Sequence, residues 1–184
     1  LDHGGSPPFT YPDDQEKRGV FLEILQKTTQ PLGLSLNVSR VFGGRAVSQL
    51  LSGRGDIMMV YTFADITLDN YPKGLLVCPV EIAKMPMKFY SLDPVHAQLS
   101  KAQVSTKKIG MLRVANEIRS FYRKHNLRFV ERYQSHDMVF KALVAGRIDL
   151  AMADPYSILK FTLSNGLPDA VELPQELGVV KVYV

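Results

Sequence analysis

Between residues 19 and 32 the apolar side chains Val20, Phe21, Ile24 and Leu25 recur at helical spacing, which predicts an amphipathic helix ending at Gly33. A strand follows over 34–41, then a short helix over 45–51 closed by Gly53. A nearly continuous apolar run over 56–60 reads as a strand buried on both faces. The same succession returns in the second half. A helix over 117–124, with Ala115 or Asn116 at its start and Asn116 as its N-cap, ends at Asn126. A strand over 127–133, a helix over 136–145 closed by Gly146 and an apolar strand over 149–153 complete it. Gly33 and Asn126 are the residue types best suited to a left-handed C′ position.

The two halves align without a gap. Leu50 falls on Leu143, Gly53 on Gly146, Arg54 on Arg147, Asp56 on Asp149 and Met59 on Met152. Alternating helix and strand with short links is an α/β pattern, and two copies predict two lobes. Ligands in open parallel sheets bind beyond the carboxyl ends of the strands. Tyr61, Thr62 and Phe63 in one half, and Asp154, Pro155 and Tyr156 in the other, are then expected to face one cleft; plain turns are the competing reading. The proline-rich loop over 6–14 offers Phe9 or Tyr11 as a rigid aromatic wall. Residues 107–112 read as the first strand of the second lobe. Its counterpart in the first is expected just before Leu1, and the extended 179–184 predicts a hinge strand with a further segment after it. The expected division is lobe I over 1–91, lobe II over 92–178 and the returning hinge strand over 179–184.

Composition changes this picture little. The apolar share of 46% and charged share of 22% are those of an ordinary globular protein. The net charge of +4 leaves a mild preference for anionic partners, and the basic stretch 113–132 comes with no nucleic-acid motif, so no nucleic acid is expected. Cys78, the single cysteine, lies in an apolar stretch and reads as a small buried residue. His3, His96, His125 and His136 are not at metal-ligand spacings, and His125 and His136 are expected at the surface. No metal and no cofactor are expected.

Five segments in order carry a resemblance: Pro7-Pro8-Phe9-Thr10-Tyr11, the helix 19–25, Leu50 to Asp56, Lys107-Lys108-Ile109-Gly110, and Leu143 to Asp149. Together, and followed by the single acid Asp154, they resemble the bacterial extracellular solute-binding proteins of family 3, the amino-acid-binding type. The resemblance runs through most of the chain. It implies a two-lobed α/β fold of the type II periplasmic-binding-protein kind, each lobe a mostly parallel sheet flanked by helices, closing on a ligand by a hinge. It implies an aromatic wall from Phe9 or Tyr11, with Phe42 a further candidate, and Asp154 as the acid for the ligand amine. Two departures stand out. The stretch 61–70 has no arginine to clamp a carboxylate, and Val114-Ala115 stands where the family has Gly-Thr, leaving Arg113 and the start of the following helix to meet an anion.

The expected function is non-enzymatic capture of a small polar molecule by a periplasmic monomer that serves an ABC-type membrane transporter. The sensory domain of a membrane receptor is the alternative, with the effector domain of a cytoplasmic transcription regulator behind it. Asp154 itself has three readings: a ligand for an amine, the N-cap of a helix beginning at Pro155, or a general base.

Overall fold

Strands form here where apolar residues alternate towards two different helical layers. In the computed structural model, which describes residues 7–11, 19–39, 41, 43–63, 73–76, 78, 80–113, 124–127, 129–175 and 177–183, this is clearest in the strand Leu150–Ala153. All four of its residues are buried. Leu150 and Met152 join one apolar cluster while Ala151 and Ala153 join another, the period-2 division of a strand covered on both faces.

In chain order the strands are β1 Val60–Phe63, β2 Ala83–Ser91, β3 Lys108–Leu112, β4 Phe129–Tyr133, β5 Leu150–Ala153, β6 Val171–Glu172 and β7 Gly178–Tyr183. The helices are α1 Val20–Thr29, α2 Gly43–Leu51, α3 Lys101–Val104, α4 His136–Val144 and α5 Pro155–Asn165, with 3-10 turns at Gln30–Leu32 and Pro94–Gln98. Ladder order is β1-β7-β2-β5-β3-β4, with β6 also on β2. The long β2 belongs to two sheets. Its residues 83–87 pair antiparallel with β7, and its residues 88–90 pair antiparallel with β5. Parallel pairing is realised in the second lobe, where β3 lies between β4 and β5. The described strands of the first lobe, β1, β7 and the start of β2, pair antiparallel.

The second lobe packs Val139, Phe140 and Leu143 of α4 and Ile158 of α5 against Ala151 and Ala153. Met85, Met87, Phe89, Ile109, Met111 and Val182 line the opposite face with Phe21 of α1. Ser135 caps α4 through the Met138 amide at 3.3 Å. The expected left-handed residues are found at Gly33 (φ 72°) and Asn126 (φ 54°).

Several expectations need correction. The repeat does not hold residue for residue. β1 starts at Val60, the position equivalent to Ala153, because the antiparallel ladder with β7 runs from Val60↔Tyr183 to Phe63↔Val180. Tyr61 and Thr62 are therefore within a strand, not beyond one. The strand expected over 34–41 is not found: residues 34–39 belong to no ladder among the described residues, and a strand exists only as a member of a ladder. Cys78 is exposed and precedes β2, which begins only at Ala83. His136 is buried, tucked beside Phe140 with ring centroids 5.6 Å apart. The expected helix 117–124 falls mostly outside the described residues.

Candidate ligand-binding site

The first amide groups of a helix have no partners within it. In α1 no side chain caps them; backbone carbonyls of the proline-rich loop do. The Val20 amide donates to the Pro8 carbonyl at 3.2 Å and the Phe21 amide to the Phe9 carbonyl at 3.3 Å. This close approach depends on Gly19, at φ 79°, where a Cβ would lie 2.3 Å from the Phe9 carbonyl oxygen. The loop is thereby seated on α1, and Phe9 stacks on Phe21 with centroids 5.1 Å apart and planes at 19°. Phe21 in turn meets Tyr61 of β1 at 6.1 Å.

On its other side Phe9 meets Tyr156 edge to face at 5.7 Å. Tyr156 stands in the first turn of α5, whose N-cap is Asp154 at the end of β5. The Asp154 carboxylate is completely buried. Its Oδ1 accepts from the Ser157 amide at 2.8 Å, and the Ser157 hydroxyl lies 2.6 Å from its Oδ2. The same hydroxyl is 3.0 Å from the Pro7 carbonyl, so one proton stands between two acceptors far apart in the chain. One turn further on, Lys160 places its Nζ 4.0 Å from the centroid of the Tyr11 ring and hydrogen-bonds the Tyr11 hydroxyl. Such a cation–π contact contributes about 0.5–2 kcal/mol. The loop 7–11 thus bridges α1 and α5 with apolar, polar and charged contacts together.

Arg113 follows β3. Gly110 is level with Ala151 in the β3·β5 ladder, so Arg113, three residues on, is level with Asp154. Its amide donates to the Tyr133 carbonyl at 2.7 Å and its side chain is exposed. Nearby carboxylates are engaged: Glu131 accepts from the Tyr133 hydroxyl at 2.6 Å, and Glu172 pairs with Lys88 and lies 3.4 Å from the Tyr90 hydroxyl.

Both of those tyrosines hold their protons tightly. Burial, then the Glu172 charge and hydrogen bond, raise Tyr90 above the tyrosine range; burial, then Glu131, push Tyr133 up to about 12. A raised pKa favours the neutral phenol in the fold. The stability it contributes is therefore complete below about pH 10, the unfolded value, and is lost as the pH climbs through the folded value. We expect an alkaline titration followed by phenolate absorbance to show Tyr90 and Tyr133 ionising late, with resistance to denaturant falling above that pH. Simultaneous titration of all eight tyrosines would contradict this.

Of the residues singled out in the sequence, Phe9, Tyr11, Tyr61, Tyr156 and Asp154 are brought to one region, with Arg113 level with Asp154 on the adjoining strand. Thr62 is buried in the β1·β7 ladder opposite Lys181, and Phe63 is the last residue of that ladder. Phe42, Ala115 and Asn116 lie outside the described residues. Ser157 and Lys160 were not foreseen. A serine at the third residue after a capping aspartate is a usable signal for the first, whereas the Lys160–Tyr11 contact joins residues far apart in the chain. Among the described residues no group of three or more His, Cys, Asp or Glu side chains is placed to hold a metal ion, and no helix is long and apolar enough to cross a membrane.

No family model and no curated protein matches the chain. Solved structures do. Holo ArgBP from T. maritima superposes with a TM-score of 0.70 at 17% identity, covering 97% of this chain and 77% of that one. The GluR0 ligand-binding core from Nostoc punctiforme, in complex with L-glutamate, gives 0.71 at 12% identity over 98% and 81%. The periplasmic VFT2 domain of Bordetella pertussis BvgS gives 0.70 at 13% identity over 98% and 76%. The fold is the two-lobed, type II periplasmic-binding-protein fold that the resemblance in the sequence implied.

Proposed function

We propose that the chain is a non-enzymatic binding module that captures a small polar molecule between its lobes, as a periplasmic solute-binding protein for an ABC-type transporter. The observation that carries this reading is the run of ring contacts from Tyr61 through the buried Phe21 to Phe9 and on to the exposed Tyr156, which stands just past the C-terminal end of β5. That is where an open parallel sheet takes its ligand. Two structural neighbours hold arginine and L-glutamate, which supports a small polar ligand here. In this reading Phe9, Tyr11 and Tyr156 contact the ligand and Arg113 supplies charge. Asp154, with both oxygens engaged by Ser157, positions the start of α5.

A second reading, the sensory domain of a membrane receptor, is favoured by the direct contacts of Ser157 with Pro7 and Lys160 with Tyr11. Contacts made by the chain itself set a balance between open and closed lobes, and a ligand then shifts it. Both readings predict stabilisation by ligand, of about 2.7 kcal/mol at a hundredfold excess over Kd. A thermal-shift screen of amino acids, amines, organic acids and short peptides is expected to return a hit whose affinity drops in Tyr156→Ala. Tyr156 is 55% exposed, so its truncation spares the core. A hit that binds Tyr156→Ala unchanged argues against this cleft.

A further inference from the structure

Among the described residues, the charged groups at this end of the sheets differ in what already engages them. The Asp154 carboxylate is 0% exposed and both of its oxygens are engaged by Ser157, so it presents no open acceptor to an incoming ammonium group. Glu131 is engaged by Tyr133 and Glu172 by Lys88. Two cations remain. Among the described residues neither Arg113 nor Lys160 has a carboxylate within ion-pair reach, and Lys160 rests on a neutral aromatic ring. A partly sheltered cation without a counter-ion favours an anion over water once a ligand closes the site, because charge-assisted bonds strengthen as water leaves. Arg113 is exposed and carries the fork of donors that matches a carboxylate bidentately. Phe9 and Tyr156, edge to face at 5.7 Å, supply apolar rings to the same region.

We propose that the molecule captured in the cleft is a small carboxylate with an apolar or aromatic body and no required ammonium group, held by Arg113 and Lys160 and seated on Phe9 and Tyr156. This rests on the cleft being the ligand site. It goes further in naming the charge of the ligand and the two side chains that select it. Lys160 exchanges its place on Tyr11 for the carboxylate, so binding of the anion also releases one contact between loop 7–11 and α5.

The test is calorimetry and thermal shift on the whole chain with benzoate and glutarate as carboxylates, putrescine as an amine, and arginine and glutamine as zwitterion-bearing probes. At least one carboxylate is expected to bind without an amine. Its affinity is expected to fall about tenfold or more in Arg113→Gln and in Lys160→Gln, the loss of a charge-assisted bond. It should weaken as salt is raised and stay unchanged in Arg54→Gln, which removes an exposed cation from the turn after α2. Putrescine or the zwitterions binding while the carboxylates do not would overturn the anion assignment and leave the capture reading standing. An equal loss in Arg54→Gln would overturn it as well, by reducing the effect to net charge. Failure of all five probes to bind would overturn both.

Discussion

Gly19→Ala is expected to destabilise the fold by about 3–5 kcal/mol and to lower the melting temperature by roughly 10 °C. Two costs add at this position. At φ 79° and ψ 159° the backbone is in a region that L residues essentially do not enter. In addition, the new Cβ would lie 2.3 Å from the Phe9 carbonyl oxygen and 2.8 Å from the Thr10 Cα, both backbone atoms that no rotamer change can move aside. Relief requires loop 7–11 to lift away from α1, which breaks the Val20–Pro8 and Phe21–Phe9 hydrogen bonds and tilts Phe9 off Phe21. The variant should therefore lose ligand binding as well as stability. Gly33→Ala is the control: φ is 72° but nothing lies within 4 Å of its Cβ, so only the conformational cost of about 1–2 kcal/mol applies. Chemical denaturation of the two variants separates strain from collision, and equal losses would mean that the approach of loop to helix is not tight.

Asp154→Ala is expected to cost about 2–3 kcal/mol, whereas Asp154→Asn should cost under about 1 kcal/mol. Alanine leaves the Ser157 amide without an acceptor in a site closed to water. Asparagine keeps an oxygen where Oδ1 now accepts that amide at 2.8 Å, and asparagine caps helices about as well as aspartate. The Ser157 hydroxyl, deprived of its carboxylate, still has the Pro7 carbonyl at 3.0 Å. Urea denaturation of both variants checks the stabilities; equal losses would show that the charge, and not the cap geometry, is what α5 needs. Ligand affinity supplies the second readout. In Asp154→Asn it should be unchanged for a carboxylate lacking an amine, while a loss of binding that outruns the loss of stability would return Asp154 to the role of amine ligand.

The lobe plan was legible because it is written in local terms. Helical spacing around Phe21, residues suited to left-handed turns at 33 and 126, and the nearly continuous apolar run over 149–153 each reflect a preference of a short stretch of chain. The Asp154 cap belongs to the same class, since Asp-Pro followed by a helix-compatible stretch needs only its neighbours to form. Cys78 shows the limit of such reading. Its apolar surroundings suggested burial, but burial depends on whether a segment joins a sheet, and β2 begins after it. His136 errs in the opposite direction, for a helix start is usually wet until another element covers it.

What could not be read locally is the register and the company each side chain keeps. Nothing near Tyr61 announces that β7, at the other end of the chain, extends β1 through it. Nothing near Lys160 announces Tyr11. Such pairings are decided by which long-range contacts together bury the most apolar surface while leaving few polar groups unpartnered, and that is a property of the whole chain. Local patterning was therefore enough for most of the described helices and strands and for their order. The contacts of loop 7–11 with α1 and α5 arise only once distant segments have packed.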